Sequence, residues 1–103
     1  MDNKLLMYTG KDEYYGKVYY SSFDNLKPDG NKNVRIFYLN VNDNQEYYYD
    51  VEVNEFKRNY IEISAVEYDF IIHMYYNWTS FEKVYTKVIE SIYQNNKQVV
   101  RTL

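Results

Sequence analysis

The N-terminal part of the chain carries the hydrophobic pattern of short β-strands. β-branched and aromatic residues cluster in short runs, and turn-forming residues separate these runs. Five segments show the pattern: LLMYTG at 5–10, YYGKVYYSS at 14–22, VRIFYLNV at 34–41, EYYYDVEV at 46–53 and YIEI at 60–63. A Pro-Asp-Gly turn signal at 28–30 and a four-residue hairpin loop at 42–45 separate the middle segments. We therefore predict an antiparallel sheet of about 4–5 strands within residues 5–63.

The period of the apolar positions changes from strand-like to helical after Ser64. Ser64 and Glu67 have the spacing of a capping box, in which each side chain accepts a hydrogen bond from the backbone amide of the other residue. The apolar residues that follow recur at i, i+4 and i+8: Val66, Phe70 and Met74, with Ile71 beside them. This spacing predicts a helix over 65–76 that buries this face.

A second helix is predicted over 80–95. Its apolar positions follow helical spacing closely: Phe81, Val84, Tyr85, Val88, Ile89, Ile92 and Tyr93. Strands thus come first and helices last, which favours an α+β fold in a single domain spanning residues 1–103. We expect the two C-terminal helices to pack on one face of the sheet.

Tyrosine dominates the apolar composition, with 15 Tyr among 103 residues. A buried aromatic ring removes about 150–250 Å² from water, so a few of these rings can supply much of the core. Each buried hydroxyl needs a hydrogen-bond partner, so some of the tyrosines are expected at the surface. An AT-rich genome would also raise the counts of Tyr, Asn, Lys and Ile, so the tyrosine content has two open explanations.

The fourth segment places large rings on both faces of one strand, because successive side chains of a strand point to opposite faces. One face would hold Tyr47, Tyr49, Val51 and Val53, which we assign to the core. The other would hold Glu46, Tyr48, Asp50 and Glu52, here called the acidic-aromatic stripe. Three carboxylates cannot be buried together without partners. We predict that the stripe is exposed and binds a protein with a basic surface; a solvated face without a partner is the alternative.

Composition places the chain among acidic proteins without a membrane segment. Its net charge of −3 argues against direct nucleic-acid binding, which usually requires a basic surface. Its apolar runs fall far short of the roughly 20 residues that span a bilayer. The first ten residues lack the features of a signal peptide, and the chain has no Cys. These features together predict a cytoplasmic protein.

No motif in the chain predicts catalysis, a cofactor or a metal site. The single histidine, His73, follows Asp69 by four residues, and such a pair on a helix can orient an imidazole for base catalysis. We favour a local surface pair, because no Cys or nearby Ser pattern completes a nucleophilic site. No glycine belongs to a phosphate-binding loop, and no EF-hand spacing occurs. We predict that the protein is not an enzyme.

A weak basic patch near aromatic rings is the one feature that suits single-stranded nucleic acid. Its candidate residues are Lys27, Lys32, Arg35, Lys57 and Arg58. Because the acidic balance of the chain weakens this interpretation, we favour ordinary solvated charges.

In size, acidity and AT-type composition the chain resembles small proteins of phages and other mobile elements, and also toxin-immunity proteins. Many proteins of this kind, anti-CRISPR inhibitors included, block the surface of a larger enzyme. The resemblance implies a non-catalytic protein-binding module that inhibits a nucleic-acid-handling enzyme by covering a basic surface. A toxin-immunity protein and a small nucleic-acid-binding regulator are the alternatives, and the oligomeric state is left open.

Overall fold

The computed structural model describes residues 3–40, 42–77 and 82–96. The chain forms five strands and three helices in this part. The elements in chain order are β1 (Asn3–Tyr8), β2 (Val18–Ser22), β3 (Asn33–Asn40), β4 (Gln45–Glu52), α1 (Val53–Asn59), β5 (Tyr60–Glu62), α2 (Ala65–Asn77) and α3 (Glu82–Asn96). None of the helices in these residues combines the length and the apolar composition that crossing a bilayer requires.

The five strands form one antiparallel sheet in the order β4-β3-β2-β1-β5. This confirms the predicted α+β fold. In the register of the sheet, Leu5 lies opposite Tyr20, Tyr20 opposite Phe37, and Phe37 opposite Tyr48. Because opposite residues share a face, these four side chains mark one face of the sheet. We call it the stripe face, since it carries Tyr48.

The β3–β4 hairpin begins and ends one residue earlier than the sequence predicts. Strand β3 ends at Asn40 and β4 begins at Gln45, where a loop over 42–45 was expected. Asn44 has a φ of 58°, a left-handed conformation that Asn tolerates better than most residues. The shift sets the register in which Arg35 lies opposite Asp50.

Helix α1 is the element that sequence patterning missed, since residues 46–53 were predicted as one strand and no element was predicted between that strand and the one at 60–63. Strand β4 ends at Glu52, whose carboxylate accepts hydrogen bonds from the backbone amides of Asn54 and Glu55, both at 3.1 Å. Glu52 is therefore the N-cap of α1, and Val53 begins the helix. Phe56 in α1 is fully buried and stacks on Tyr60 with ring centroids 5.3 Å apart. Because Tyr60 lies opposite Tyr8, on the reverse face of the sheet, α1 packs on that face.

The predicted capping box begins α2. The Ser64 amide donates to Glu67 Oε1 at 2.8 Å, and the Glu67 amide donates to Ser64 Oγ at 3.1 Å. The prediction of the buried face was wrong in part. Ile71 and Met74 are buried, but Val66 is 78% exposed and Phe70 is 48% exposed. Side chains four residues apart on an α-helix differ in direction by about 40° around the helix axis. A row spaced at i, i+4 and i+8 that ends in the core at Met74 therefore starts outside the core at Val66.

Helix α3 buries the face that its spacing predicts, as far as its side chains are described. Ile89 and Ile92 are buried, and Val88 and Tyr93 are partly buried against the core. The predicted core positions 81, 84 and 85 lie outside the residues whose side chains are described. Tyr15, in the β1–β2 connection, donates a hydrogen bond to Glu90 at 2.8 Å.

Helix α2 packs on the stripe face, where Ile72 lines a cavity together with Val18 and Leu39.

Candidate binding surface

The acidic-aromatic stripe lies along β4, which is an edge strand of the sheet. All four of its side chains, Glu46, Tyr48, Asp50 and Glu52, are exposed. Tyr48 is 55% exposed. The predicted exposure of these four residues is therefore correct, although the other face of β4 is exposed as well over residues 45–50. The role of the stripe in binding stays a prediction.

A row of three rings crosses the stripe face at the level of Tyr48. Tyr20 stacks on Phe37 with ring centroids 6.0 Å apart, and Phe37 meets Tyr48 at 6.1 Å. The three rings come from three neighbouring strands, because they are direct partners in the register. Tyr48 is the outermost ring of this row.

The carboxylates of the stripe have partners within the protein, which sequence patterning did not predict. Arg35 binds Asp50 through two hydrogen bonds, Nε to Oδ1 at 2.7 Å and Nη2 to Oδ2 at 3.0 Å. The hydroxyl of Tyr20 donates to Glu46. Burial, with this hydrogen bond as the second cause, raises the pKa of Tyr20. The stripe is thus less negative than its sequence suggests, because the charge of Asp50 is matched by Arg35.

Arg35 also holds the ring of Tyr48. Its guanidinium carbon lies 4.1 Å from the centroid of the Tyr48 ring, a cation–π contact. Tyr48 therefore has Phe37 on one side and Arg35 near its face. Such contacts restrict the ring before a partner arrives, which lowers the entropy lost on binding.

The pairing of Arg35 with Asp50 predicts a measurable pH dependence. The guanidinium holds the pKa of the Asp50 carboxyl below its ordinary value, first through the hydrogen bonds and then through its charge. A lowered folded-state pKa contributes stability above the pKa of the unfolded chain, and this contribution is lost as the pH falls through the folded value. We expect an NMR titration to show Asp50 ionising at a lower pH than a model Asp.

The Arg35→Gln variant is the control for this titration. It removes the positive charge and keeps a long polar side chain, so the pKa of Asp50 is expected to return towards its ordinary value. An Asp50 pKa that is the same in both proteins would contradict the pairing.

The reverse face of β4 is not the core face that the sequence predicts. Tyr47 is 41% exposed and Tyr49 is 45% exposed, and of the four predicted core residues only Val51 is buried. Both rings stack on Tyr38 of β3, at centroid distances of 5.6 and 5.4 Å. The prediction was wrong because β4 is an edge strand, and α1 covers only the end of it near Val51. Tyr47 and Tyr49 therefore cover Tyr38 from the solvent side.

A cleft lined by tyrosines lies on this reverse face, and sequence patterning missed it. Its volume is about 360 Å³. Five tyrosines line it, Tyr8, Tyr14, Tyr19, Tyr49 and Tyr60, together with Asp50, Val51 and Glu52 of β4 and Glu55 of α1. We call it the tyrosine cleft. The sequence signal that points to it is the alternation of side chains within each strand. Combined with the register pairs, this alternation places four of the tyrosines on one face: Tyr8, Tyr19, Tyr49 and Tyr60.

The residues considered for other functions line neither the tyrosine cleft nor the cavity beside Ile72. His73 and Asp69 are exposed on α2. Within residues 3–40, 42–77 and 82–96, no group of three or more His, Asp or Glu side chains is placed to hold a metal ion. Two members of the candidate basic patch lie beside acids: Arg35 binds Asp50, and Lys27 lies 3.7 Å from Asp24.

Comparison with protein-family models, with curated proteins and with solved structures finds no match to this chain. The geometry of the surface and the composition of the chain therefore carry the functional interpretation.

Proposed function

We propose that this protein is a non-catalytic protein-binding module whose acidic-aromatic stripe contacts a basic surface of a larger, nucleic-acid-handling enzyme and inhibits it by occlusion. The observation that carries the proposal is Tyr48, a ring that is 55% exposed on the edge strand of the sheet. Carboxylates flank it on both sides along β4, at Glu46 and Asp50.

Tyr48 has the properties of an interface residue. Tyrosine offers a large contact area with few rotatable bonds and a polar tip, which is why binding surfaces favour it. Phe37 and Arg35 contact its ring from within the protein, so little freedom is lost when a partner covers it. The Arg35–Asp50 pair beside it can exchange partners with basic and acidic groups across an interface.

The identity of the partner class rests on composition. The small size, the net charge of −3 and the AT-type composition support an inhibitor from a phage or another mobile element, for example an anti-CRISPR protein, acting in the cytoplasm. A toxin-immunity protein would use the same surface in the same way. Direct nucleic-acid binding is less well supported, because Arg35 and Lys27 already lie beside acids.

The test compares two neighbouring tyrosines on opposite faces of one strand. The partner is captured from the source cells with the tagged protein and purified, and its affinity is measured by calorimetry. Tyr48→Ala is expected to weaken binding by about 1–2 kcal/mol, since anchor residues typically carry at least this much. The matched control Tyr47→Ala removes an exposed ring from the other face of β4 and is expected to leave affinity within about threefold.

Charge reversal separates the electrostatic part of the proposal from the aromatic part. Glu46→Lys is the preferred variant, because it loses a single hydrogen bond from Tyr20, whereas Asp50 forms a two-bond pair with Arg35 and Glu52 caps α1. Slower association and a weaker salt dependence are expected. Wild-type binding by both Tyr48→Ala and Glu46→Lys would overturn the proposal. Salt-dependent binding of DNA or RNA at micromolar protein would favour the nucleic-acid alternative.

A further inference from the structure

The tyrosine cleft presents a continuous aromatic wall. The ring of Tyr60 lies edge-on to Tyr8 at 5.1 Å and to Tyr19 at 5.7 Å, and Tyr19 lies 6.2 Å from Tyr49. Tyr14 closes the wall from the β1–β2 connection. The volume of about 360 Å³ falls in the range of small-ligand pockets. A wall of this kind offers ring faces and phenol oxygens, both of which carry partial negative charge.

Carboxylates add negative charge to the cleft. The Tyr8 hydroxyl donates to Asp12 at 2.7 Å, and this hydrogen bond, with burial second, raises the pKa of Tyr8 to about 12. Burial raises the pKa of Tyr60, and the charge of Glu55 raises it further. Within the described residues, the carboxylate of Glu55 accepts no hydrogen bond and forms no ion pair, and no Lys or Arg lines the cleft. The negative charge of Glu55 is thus available to a ligand.

Lys17 shows that rings of this cluster already hold an ammonium group. Its Nζ lies 4.1 Å from the centroid of Tyr38 and 5.6 Å from those of Tyr14 and Tyr19. Tyr14 and Tyr19 also line the cleft, so one aromatic cluster serves both places. The Lys17 end of the cluster carries its own cation, whereas no Lys or Arg lines the cleft at the Tyr8–Tyr60–Glu55 end within the described residues.

We propose that the tyrosine cleft binds an alkylammonium group, with Tyr8, Tyr49 and Tyr60 contacting its methylene or methyl carbons and Glu55 compensating its charge. Aromatic rings combined with carboxylates are the protein groups that recognise such cations. The ammonium group belongs to a small quaternary amine or to a lysine side chain. Tyr48 does not line the cleft, so the proposal does not depend on that ring, although the stripe residues Asp50 and Glu52 do line it.

The test is an NMR titration of the full chain with defined probes. Choline and tetramethylammonium represent small quaternary amines, and Nα-acetyl-lysine amide represents a lysine side chain. 3,3-Dimethylbutanol has the shape of choline without its charge and serves as the neutral control. We expect saturable shifts at the amides of Tyr8, Tyr49, Glu55 and Tyr60 with the charged probes and none with the alcohol. The tighter-binding charged probe identifies the source of the cation.

Two matched pairs of variants locate the site. Tyr49→Leu and Tyr47→Leu remove rings of similar exposure that both stack on Tyr38, but only Tyr49 lines the cleft. Glu55→Gln and Glu46→Gln each remove one charge, and only Glu55 lies in the cleft. Tyr49→Leu and Glu55→Gln are expected to weaken binding by about threefold to tenfold, and their controls to leave it unchanged. Equal binding of 3,3-dimethylbutanol, shifts outside the cleft, or no saturable binding would overturn the proposal.

Discussion

Phe56→Ala is expected to lower the free energy of unfolding by about 3–5 kcal/mol, enough to unfold a marginal domain of this size. Phe56 is fully buried and stacks on Tyr60, which in turn contacts Tyr8 and Tyr19. Removing the ring leaves a cavity between α1 and the sheet, and the rigid strands β1 and β5 restrict how far it can collapse. The loss therefore includes both the transfer energy of the ring and the energy of the cavity.

Chemical denaturation measured by circular dichroism tests this result, with Phe70→Ala as the control. The control deletes the same side chain from α2, where Phe70 is 48% exposed, and is expected to change stability by no more than about 0.5–1 kcal/mol. The pair also tests the corrected orientation of α2, because the sequence assigned Phe70 to the core. Similar losses in the two variants would show that Phe56 and Phe70 are equally buried.

Gly16→Ala is expected to destabilise the protein by about 2–4 kcal/mol, from backbone strain and overpacking together. Gly16 has a φ of 90°, a conformation that residues with a Cβ rarely adopt. A Cβ at this position would lie 2.9 Å from Cγ1 of Ile89, which is fully buried in α3. The close approach of the β1–β2 connection to α3 thus depends on the missing side chain.

Gly30→Ala is the matched control for this substitution. Nothing lies within 4 Å of a Cβ built on Gly30, which is exposed in the turn before β3. This change is expected to be neutral, or to stabilise by up to about 1 kcal/mol through lower entropy of the unfolded chain. Both variants are compared with wild type by urea denaturation. Equal stability of Gly16→Ala and Gly30→Ala would mean that α3 does not pack on Gly16.

Local signals in the sequence were sufficient for most of the secondary structure. Ser64 and Glu67 predict the start of α2, and each makes the backbone hydrogen bond that the motif requires. The spacing of Ile89 and Ile92 predicts the buried face of α3. These features depend on residues within a turn or two of one another, so no knowledge of the rest of the fold is needed.

Helix α1 and the burial of individual tyrosines were decided by the tertiary structure. The seven residues of α1 are too few to show a helical period, and the helix depends on the cap at Glu52 and on a cavity that receives Phe56. Tyr19 and Tyr47 are similar in local sequence, yet Tyr19 is buried and Tyr47 is 41% exposed. The difference is that β2 lies inside the sheet and β4 lies at its edge.

Of the candidate sites, too, one part was predictable from the sequence and the other was decided by the tertiary structure. The period of two places Glu46, Tyr48, Asp50 and Glu52 on one face of β4, but the exposure of both faces follows from the edge position of the strand. Two other features do not follow from the period of two: the tyrosine cleft, and the ion pair between Asp50 and Arg35. They bring together residues far apart in the chain, and their contacts depend on strand order and on a hairpin register that one residue of loop length would change.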